Sequence, residues 1–178
     1  EYNDGKDFPD EDSWQAYQRS GGRLSRDDWR RDAVNRFIQR VYTGIRNEKP
    51  KVKFGISPFG IWRPGYPASI KGMDQYSVLY ADAKLWLNEG WVDYFSPQLY
   101  WPIDKTAQSF PVLLGWWSEQ NSRQRHLWPG IKTAHGTQEC INQIMITRGM
   151  LTRSAGAVHW HAGVLTKNSG QMADALRA

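Results

Sequence analysis

One cysteine, Cys140, is all the thiol the chain contains. No intrachain disulfide can form from it, and no cysteine-based zinc cluster can be built. Long apolar runs are missing as well: nothing approaches the ~18–20 residues that a helix needs to span a bilayer, and no leader pattern opens the sequence. Charge of one sign is nowhere concentrated. The formal net charge is +5, yet basic residues are interleaved with acids, as in "RLSRDDWRRD". That is the pattern of a solvated, salt-bridged helix face and not of a nucleic-acid patch. Phosphate-cradling glycine loops are absent too, since "GIWRPG" fits neither fingerprint. These absences argue against a disulfide scaffold, a membrane-spanning helix and a nucleic-acid partner, and no cofactor is expected.

What the chain does have is tryptophan, ten of them in 178 residues, on a composition that supports one sizeable core. Residues 1–178 therefore read as a single domain. Residues 1–24 are polar, turn-rich and aperiodic, like a long surface loop. From Ser25 the pattern turns helical, with Trp29, Ala33, Val34, Phe37, Ile38, Val41, Tyr42 and Ile45 at three- and four-residue spacing. Ser25 with Asp28 resembles a capping box. A strand fits 52–57, a helix about 74–89, a strand 92–99, and a helix 109–120 with Pro111 in its first turn. A third strand fits 126–132, followed by a helix whose apolar stripe is Ile141, Ile144, Met145 and Leu151. A fourth strand at 155–163 and a short closing helix complete the chain.

Strand centres near Phe54, Phe95, Pro129 and Val158 have the spacing of βα units with parallel strands and right-handed crossovers. The class is α/β, with about four βα units over residues 25–178. A small doubly wound sheet is one arrangement; the second half of a (β/α)8 TIM-type barrel is the other. The face pattern of "VDYFSPQLYW" favours the barrel. Tyr94, Ser96, Gln98 and Tyr100 share one face, and Phe95, Pro97, Leu99 and Trp101 the other. One face is systematically polar, which suits a barrel interior. The first helix would then follow a strand upstream of this chain.

Ligands bind at the carboxyl ends of strands in such folds, so the residues delivered there are the candidate site. The first strand delivers Ser57, Phe59, Trp62 and Arg63, and the second Gln98, Tyr100 and Trp101. The third delivers Lys132, Thr133 and His135, and the fourth His159, Trp160 and His161. Indole and phenol rings stack on the apolar faces of sugars, while amide, hydroxyl and guanidinium groups bond the hydroxyls and N-acetyl groups. Trp62 and Trp101, beside Gly and Pro in loops, read as site residues; Trp86, Trp91, Trp116 and Trp117 read as packing. Glycoside hydrolysis uses two carboxylates, and few acids lie near strand ends here. Asp104 and Glu139 are the candidates, although a loop acid or a first-turn helix acid is commonly structural. Asp93 lies at the wrong end of its strand, and Asp4, Asp7, Asp10, Glu11 and Asp12 read as solvated turn residues. His159 and His161 share a spacing that can bind zinc, but no third ligand is evident, so no metal site is assigned.

At these residues the sequence is similar to a known family. "LSRDDWRRDAVNRFIQRVY", "VKFGISPFGIWRPGYP", "GWVDYFSPQLYWPID" and "HLWPGIKT" closely resemble the glycosyl-hydrolase-like family ten of bacteria. The resemblance implies a glycosidase-type barrel domain found in envelope and secreted proteins, with some members acting on peptidoglycan glycan strands. It implies that Ser57, Trp62, Arg63, Gln98, Tyr100 and Trp101 line the substrate cleft. It also implies that the main acids, on an aspartate-rich "DDY"-type strand end, lie upstream of this chain. Lys132 and His161 stand where an Asn and a small hydroxyl residue are expected in relatives.

The expected function is a glycoside hydrolase-like domain that cleaves or binds a bacterial polysaccharide. Lys132, His159 and His161 complete the expected substrate-binding set, and the catalytic pair lies outside the chain unless Asp104 and Glu139 form it. Two other readings remain: a non-catalytic carbohydrate-binding truncated barrel, and a metal-dependent hydrolase using His159 and His161. The expected partners are a polysaccharide and the missing amino-terminal half of the barrel, or a second copy. An isolated half would expose strand edges and apolar surface.

Overall fold

The computed structural model describes residues 7–153 and 156–177. The first helix of the body, α2 (Arg26–Glu48), begins where the sequence predicts it. Ser25 is its N-cap in extended backbone, and its side chain accepts from Asp28 N while donating to Asp28 Oδ2 at 2.7 Å. The reciprocity differs from a full capping box, because Asp28 is too short to return to the Ser25 amide. The predicted apolar stripe is only partly covered: Val34 and Ile38 pack on the core, whereas Phe37 is 55% exposed.

Residues 1–24, read as a loop, contain a helix, α1 (Glu11–Arg19). It has no buried residue and only a short aromatic stripe, Trp14 and Tyr17, to betray it. Two other forces hold it on α2. Trp14 and Tyr17 pack against Trp29, with ring centroids 5.5 and 5.8 Å away. Asp10, at the head of α1, accepts from both Arg26 and Arg30. So Asp10, expected to be a solvated turn residue, is nearly buried between two guanidinium groups. Arg30 foremost, then Arg26, hold its carboxyl down at about 2, below the usual 3.8. Asp4 lies outside the described residues.

The strands are shorter than predicted: β1 (Gly55–Ile56), β2 (Tyr94–Phe95), β3 (His126–Leu127), β4 (Gly130–Lys132) and β5 (Val158–Trp160). All pairings are parallel, β1 to β2 to β3 and β4 to β5. Single bridges from Gln98 to Phe59 and to Gly130 connect the two groups. The third run is split at Trp128 and Pro129; a proline cannot donate to a ladder. Strands therefore lie side by side in chain order with no reversal. Asp93 closes the opposite end of β2, where its carboxylate accepts from Phe54 N at 2.9 Å.

The helix predicted over 74–89 is two helices, α3 (Gln75–Val78) and α4 (Ala83–Glu89). Asp74 and Asp82 each cap one of them, bonding Ser77 N and Leu85 N. Tyr80, at φ 53°, takes the turn between them. After β2, α5 (Phe110–Gln120) carries Pro111 in its first turn, as predicted. After β4, α6 (Thr137–Met150) turns an unexpected face inward. Cys140, Gln143 and Thr147 are buried there, whereas Met145 of the predicted stripe is 60% exposed. Thr147 Oγ1 donates to the Gln143 carbonyl, and Gln143 Nε2 donates to the Trp101 carbonyl and to Glu139, while Gln143 Oε1 is buried without a partner among the described residues. Burial pushes the Cys140 thiol up to about 11, with Glu139 adding to it. Two short helices, α7 (Ala162–Thr166) and α8 (Met172–Ala175), follow β5.

The hydrophobic core lies between the helices and one face of the sheet. Phe95, Leu99, Leu127 and Ile131 meet Leu113, Leu114 and Trp117 there, all at 0–1% exposure. Trp86 and Trp116 are buried in the same core and Trp91 is partly buried against it, as packing predicts. The opposite face is built differently. Tyr94 stacks on Trp128 at 5.0 Å, and Trp128 on His126 at 5.3 Å. Gly55 and Gly156 flank this row, because a Cβ at either would overlap the Tyr94 or Trp128 ring.

Candidate functional site

The alternation of side chains along a strand decides which strand-end residues can meet. Lys132 is the Cα partner of Trp160, and Ile131 of His159. Ile131 is a core residue, so His159 shares the helix-covered side. Its Nδ1 is buried without a partner, and burial pushes its pKa down, favouring the neutral ring. Lys132 and Trp160 share the other face with Gly130, against which the Tyr100 ring rests: a Cβ at Gly130 would come within 2.9 Å of Tyr100 Cε1.

Tyr100 and Trp160 form the centre of that face. Their rings stack at 6.2 Å with planes 29° apart. Tyr100 is half-buried, and that burial raises its phenol pKa, so it is a hydroxyl donor at neutral pH. Trp160 is 58% exposed and offers a free indole surface. Backbone ties fix both residues. His135 Nε2 donates to the Tyr100 carbonyl at 3.0 Å, and the buried Thr133 hydroxyl donates to the Trp160 carbonyl at 2.9 Å. Trp160 was delivered to the strand end by sequence reasoning but left out of the predicted substrate-binding set. The signal was present, because Trp160 has the same parity as the polar face.

Ser57 and Gln98 come together beside this centre. Gln98 Nε2 donates to the Ser57 carbonyl at 3.0 Å, which commits the amide nitrogen and leaves Oε1 as an acceptor. His161 caps α7, its Nδ1 accepting from Gly163 N at 3.0 Å. The ring hydrogen of a neutral His161 is thereby assigned to Nε2. The ring stands edge-on to Trp160 at 6.4 Å.

Trp62 and Arg63 belong to a separate cluster. Trp62 stacks on Trp116 at 5.8 Å, meets Tyr66 and Tyr76 edge-on, and donates Nε1 to Asp82 at 3.1 Å. Arg63 pairs with Asp74 at 3.3 Å and lies over Tyr76. Trp101 faces the core side, partly buried, with Gly60 against its ring and its carbonyl accepting from Gln143 Nε2. Of the two candidate acids, Asp104 is exposed in the loop after β2. Glu139 Oε1 accepts from Ile103 N and from Gln143 Nε2, both at 2.8 Å, and so tethers that loop to α6. Among the described residues no group of three or more His, Cys, Asp or Glu side chains is gathered to hold a metal. The His159–His161 pair in particular is divided, one side chain on the core side and the other turned into a helix cap.

A stacked phenol and indole beside amide and imidazole groups, at the carboxyl ends of parallel strands, is a surface that can take the apolar face of a sugar ring. The chain belongs to the family described as Glycosyl hydrolase-like 10, whose profile matches residues 1–144. It is 36% identical over 189 residues to glycosyl hydrolase YngK of Bacillus subtilis (strain 168), an alignment covering 97% of this chain and 36% of that protein. It is also 36% identical over 110 residues to glycosyl hydrolase DigH of Escherichia coli (strain K12), covering 59% of this chain and 25% of DigH. The chain thus spans about a third or less of the length of these relatives. Among the described residues no helix is long and apolar enough to cross a membrane.

Proposed function

We propose that this chain is the second half of a (β/α)8 barrel and forms one wall of the glycan cleft of a glycoside hydrolase. Its substrate is a bacterial polysaccharide rich in N-acetylated sugars, such as peptidoglycan glycan strands, and its place is the cell envelope or the secreted fraction. The observation that carries this reading is the Tyr100–Trp160 stack, with 58% of Trp160 left open at the strand ends. Support for the barrel comes from strands that follow chain order without reversal, and from the aromatic row on the face away from the helices.

In this mechanism a sugar ring lies on Trp160, its C–H face against the indole. Gln98, its nitrogen fixed on Ser57, turns Oε1 to the N–H of a 2-acetamido group, and the Tyr100 hydroxyl donates to a ring substituent. Contacts at the 2-position that strengthen as the ring flattens stabilise an oxocarbenium-like transition state. The acid and the base or nucleophile come from the part of the longer protein that this chain does not span. Asp104 and Glu139 are left as loop and tether. A domain that binds glycan without cleaving it is the second reading, favoured by the commitment of Glu139 to Ile103 and Gln143.

Incubating the protein with peptide-free peptidoglycan glycan strands, and reading the products by mass spectrometry, tests the proposal. Saturable binding without product is expected of this chain, and shortened oligosaccharides of the longer protein that supplies the acids, with turnover there lowered about tenfold or more in Tyr100→Phe, about the worth of one hydrogen bond to a developing charge. Saturable binding with no product from the longer protein as well favours the second reading. Neither binding nor cleavage overturns both.

A further inference from the structure

We propose that Lys132 makes this cleft selective for an acidic sugar, its ammonium pairing with the carboxylate of a pyranose whose ring lies on Trp160. The inference rests on the carbohydrate reading above and names the chemical class that site takes.

Three observations converge on it. Lys132 is the Cα partner of Trp160 on a neighbouring parallel strand, so both side chains rise from the same face of the sheet. Adjacent strands lie about 4.8 Å apart, close to the width of a pyranose ring, and the four-carbon stem of a lysine spans that distance. A substituent on the rim of a sugar stacked on Trp160 therefore falls within reach of Nζ.

The second observation is what the other polar groups at this face are doing. Thr133 is spent on the Trp160 carbonyl, His135 on the Tyr100 carbonyl and His161 Nδ1 on Gly163 N. Lys132 is half-buried and, among the described residues, its ammonium has neither an ion pair nor a hydrogen bond. Four arginines elsewhere are matched to carboxylates, Arg26 and Arg30 to Asp10, Arg31 to Asp28 and Arg63 to Asp74, while Arg125 is held by the Tyr42 hydroxyl and the Gly90 carbonyl.

The third is the charge of the surroundings. The acid that follows β4, Glu139, turns away to hold Ile103 N and Gln143. A half-buried cation on the face that carries an open indole, without a local counter-charge among the described residues, is complementary to an anion carried by a flat apolar ring. A carboxylate-bearing pyranose has both parts. The carboxylate can be a lactyl ether on an amino sugar or the C6 carboxylate of a uronic acid; the chemistry seen by Nζ is the same.

The test is binding of the full chain, by calorimetry at low salt, to three probes: peptide-free peptidoglycan glycan strands, the same strands with their carboxyl groups reduced to alcohols, and an oligouronate without N-acetyl groups. Native strands are expected to bind about tenfold more tightly than reduced ones, the worth of one charge-assisted hydrogen bond, and raised salt should shrink the difference. Lys132→Met is expected to lower native-strand affinity to the reduced-strand level and leave the latter unchanged, while Lys132→Arg keeps the preference. Oligouronate binding that also needs Lys132 supports recognition of the carboxylate as such; selectivity for the native strands alone supports the lactyl source. Equal wild-type affinity for native and reduced strands overturns the proposal and leaves the carbohydrate reading standing. So does a Lys132→Met variant that keeps the preference or weakens both ligands alike. Binding to none of the probes sinks the carbohydrate reading itself.

Discussion

The aromatic clusters around Trp62 and Trp160 both follow strand ends, yet they are opposite in kind. Around Trp62 every feature is closed. The indole N–H is bonded to Asp82, one face lies on Trp116, two edges meet Tyr66 and Tyr76, and Lys84 sits over the ring at 4.9 Å. Around Trp160 the ring is backed by Tyr100, met edge-on by His161 and still more than half exposed, and the nearby lysine has no counter-ion among the described residues. The contrast teaches a rule for reading tryptophans. An indole whose N–H is bonded and whose faces are occupied is a wall, because a ligand would have to displace contacts it cannot replace. An indole supported on one side only is a platform.

The largest effect is expected beneath the closed cluster. Trp117 is fully buried, meets Trp116 edge-on at 4.8 Å, and donates Nε1 to the Gly60 carbonyl at 2.8 Å. Trp117→Ala should cost about 3–5 kcal/mol, the usual toll of removing a buried aromatic, read as a fall in the urea midpoint. Trp62→Phe is the next step down. It keeps a ring on Trp116 but deletes the bond to Asp82, which also caps α4, so a loss of about 1 kcal/mol is expected, with glycan affinity little changed. A collapse of affinity at unchanged stability would erase the distinction between the two clusters.

The closed cluster has a charged flank that should show itself in acid. Tyr76 carries Arg31 over its ring at 3.7 Å, and Tyr80 accepts from Arg30 at 2.6 Å. Arg30 is in turn held by Asp10. Because the folded pKa of Asp10, about 2, lies below its ordinary 3.8, the unfolded chain takes up its proton first as pH falls. The stabilisation is complete above about pH 4 and disappears as pH drops through 2. Asp10→Asn should remove that acid-limb slope from a plot of melting temperature against pH. An unchanged slope would mean that the α1 hairpin does not brace the cluster.

How much of this could be read beforehand follows from the range of each signal. Local chemistry was legible: Ser25 as a cap, Pro111 in a first turn, parallel strands in βα order, and Trp86, Trp116 and Trp117 as packing. The caps depend on neighbours within a few residues, and the strands and buried tryptophans on apolar patterning along their own elements. What failed depended on partners far away. Helix α1 has only Trp14 and Tyr17 as a short aromatic stripe, and its partner, Trp29, lies on the next helix. The break at Tyr80 could have been suspected from two aspartates, Asp74 and Asp82, each a cap ahead of its own short helix. The inward face of α6 is polar because Gln143 has a backbone partner on Trp101 and a carboxylate partner in Glu139, and hydrophobic periodicity cannot register such a face. The strand-end set divides in space for a related reason. Ser57, Gln98, Tyr100 and Lys132 gather near one face, whereas Trp62 and Trp101, expected beside them from loop context and from the family resemblance, lie in other clusters. Parity along β5 would have exchanged His159 for Trp160.

The smallest stability effect is expected where the functional effect is greatest. Trp160→Ala removes a ring that is more than half exposed and leaves the Thr133 bond to the residue-160 carbonyl intact. Stability should move by no more than about 0.5 kcal/mol, as for other surface substitutions. The same change takes away the platform, so glycan affinity should fall about five- to thirtyfold if a stacked ring is worth about 1–2 kcal/mol with its buried area. Measured side by side with Trp62→Phe, it forms a crossed pair: one variant loses folding and keeps binding, the other keeps folding and loses binding. Should Trp160→Ala destabilise the chain as much as Trp62→Phe does, the open ring would be one more packing element, and the cleft would have to be sought elsewhere on the sheet.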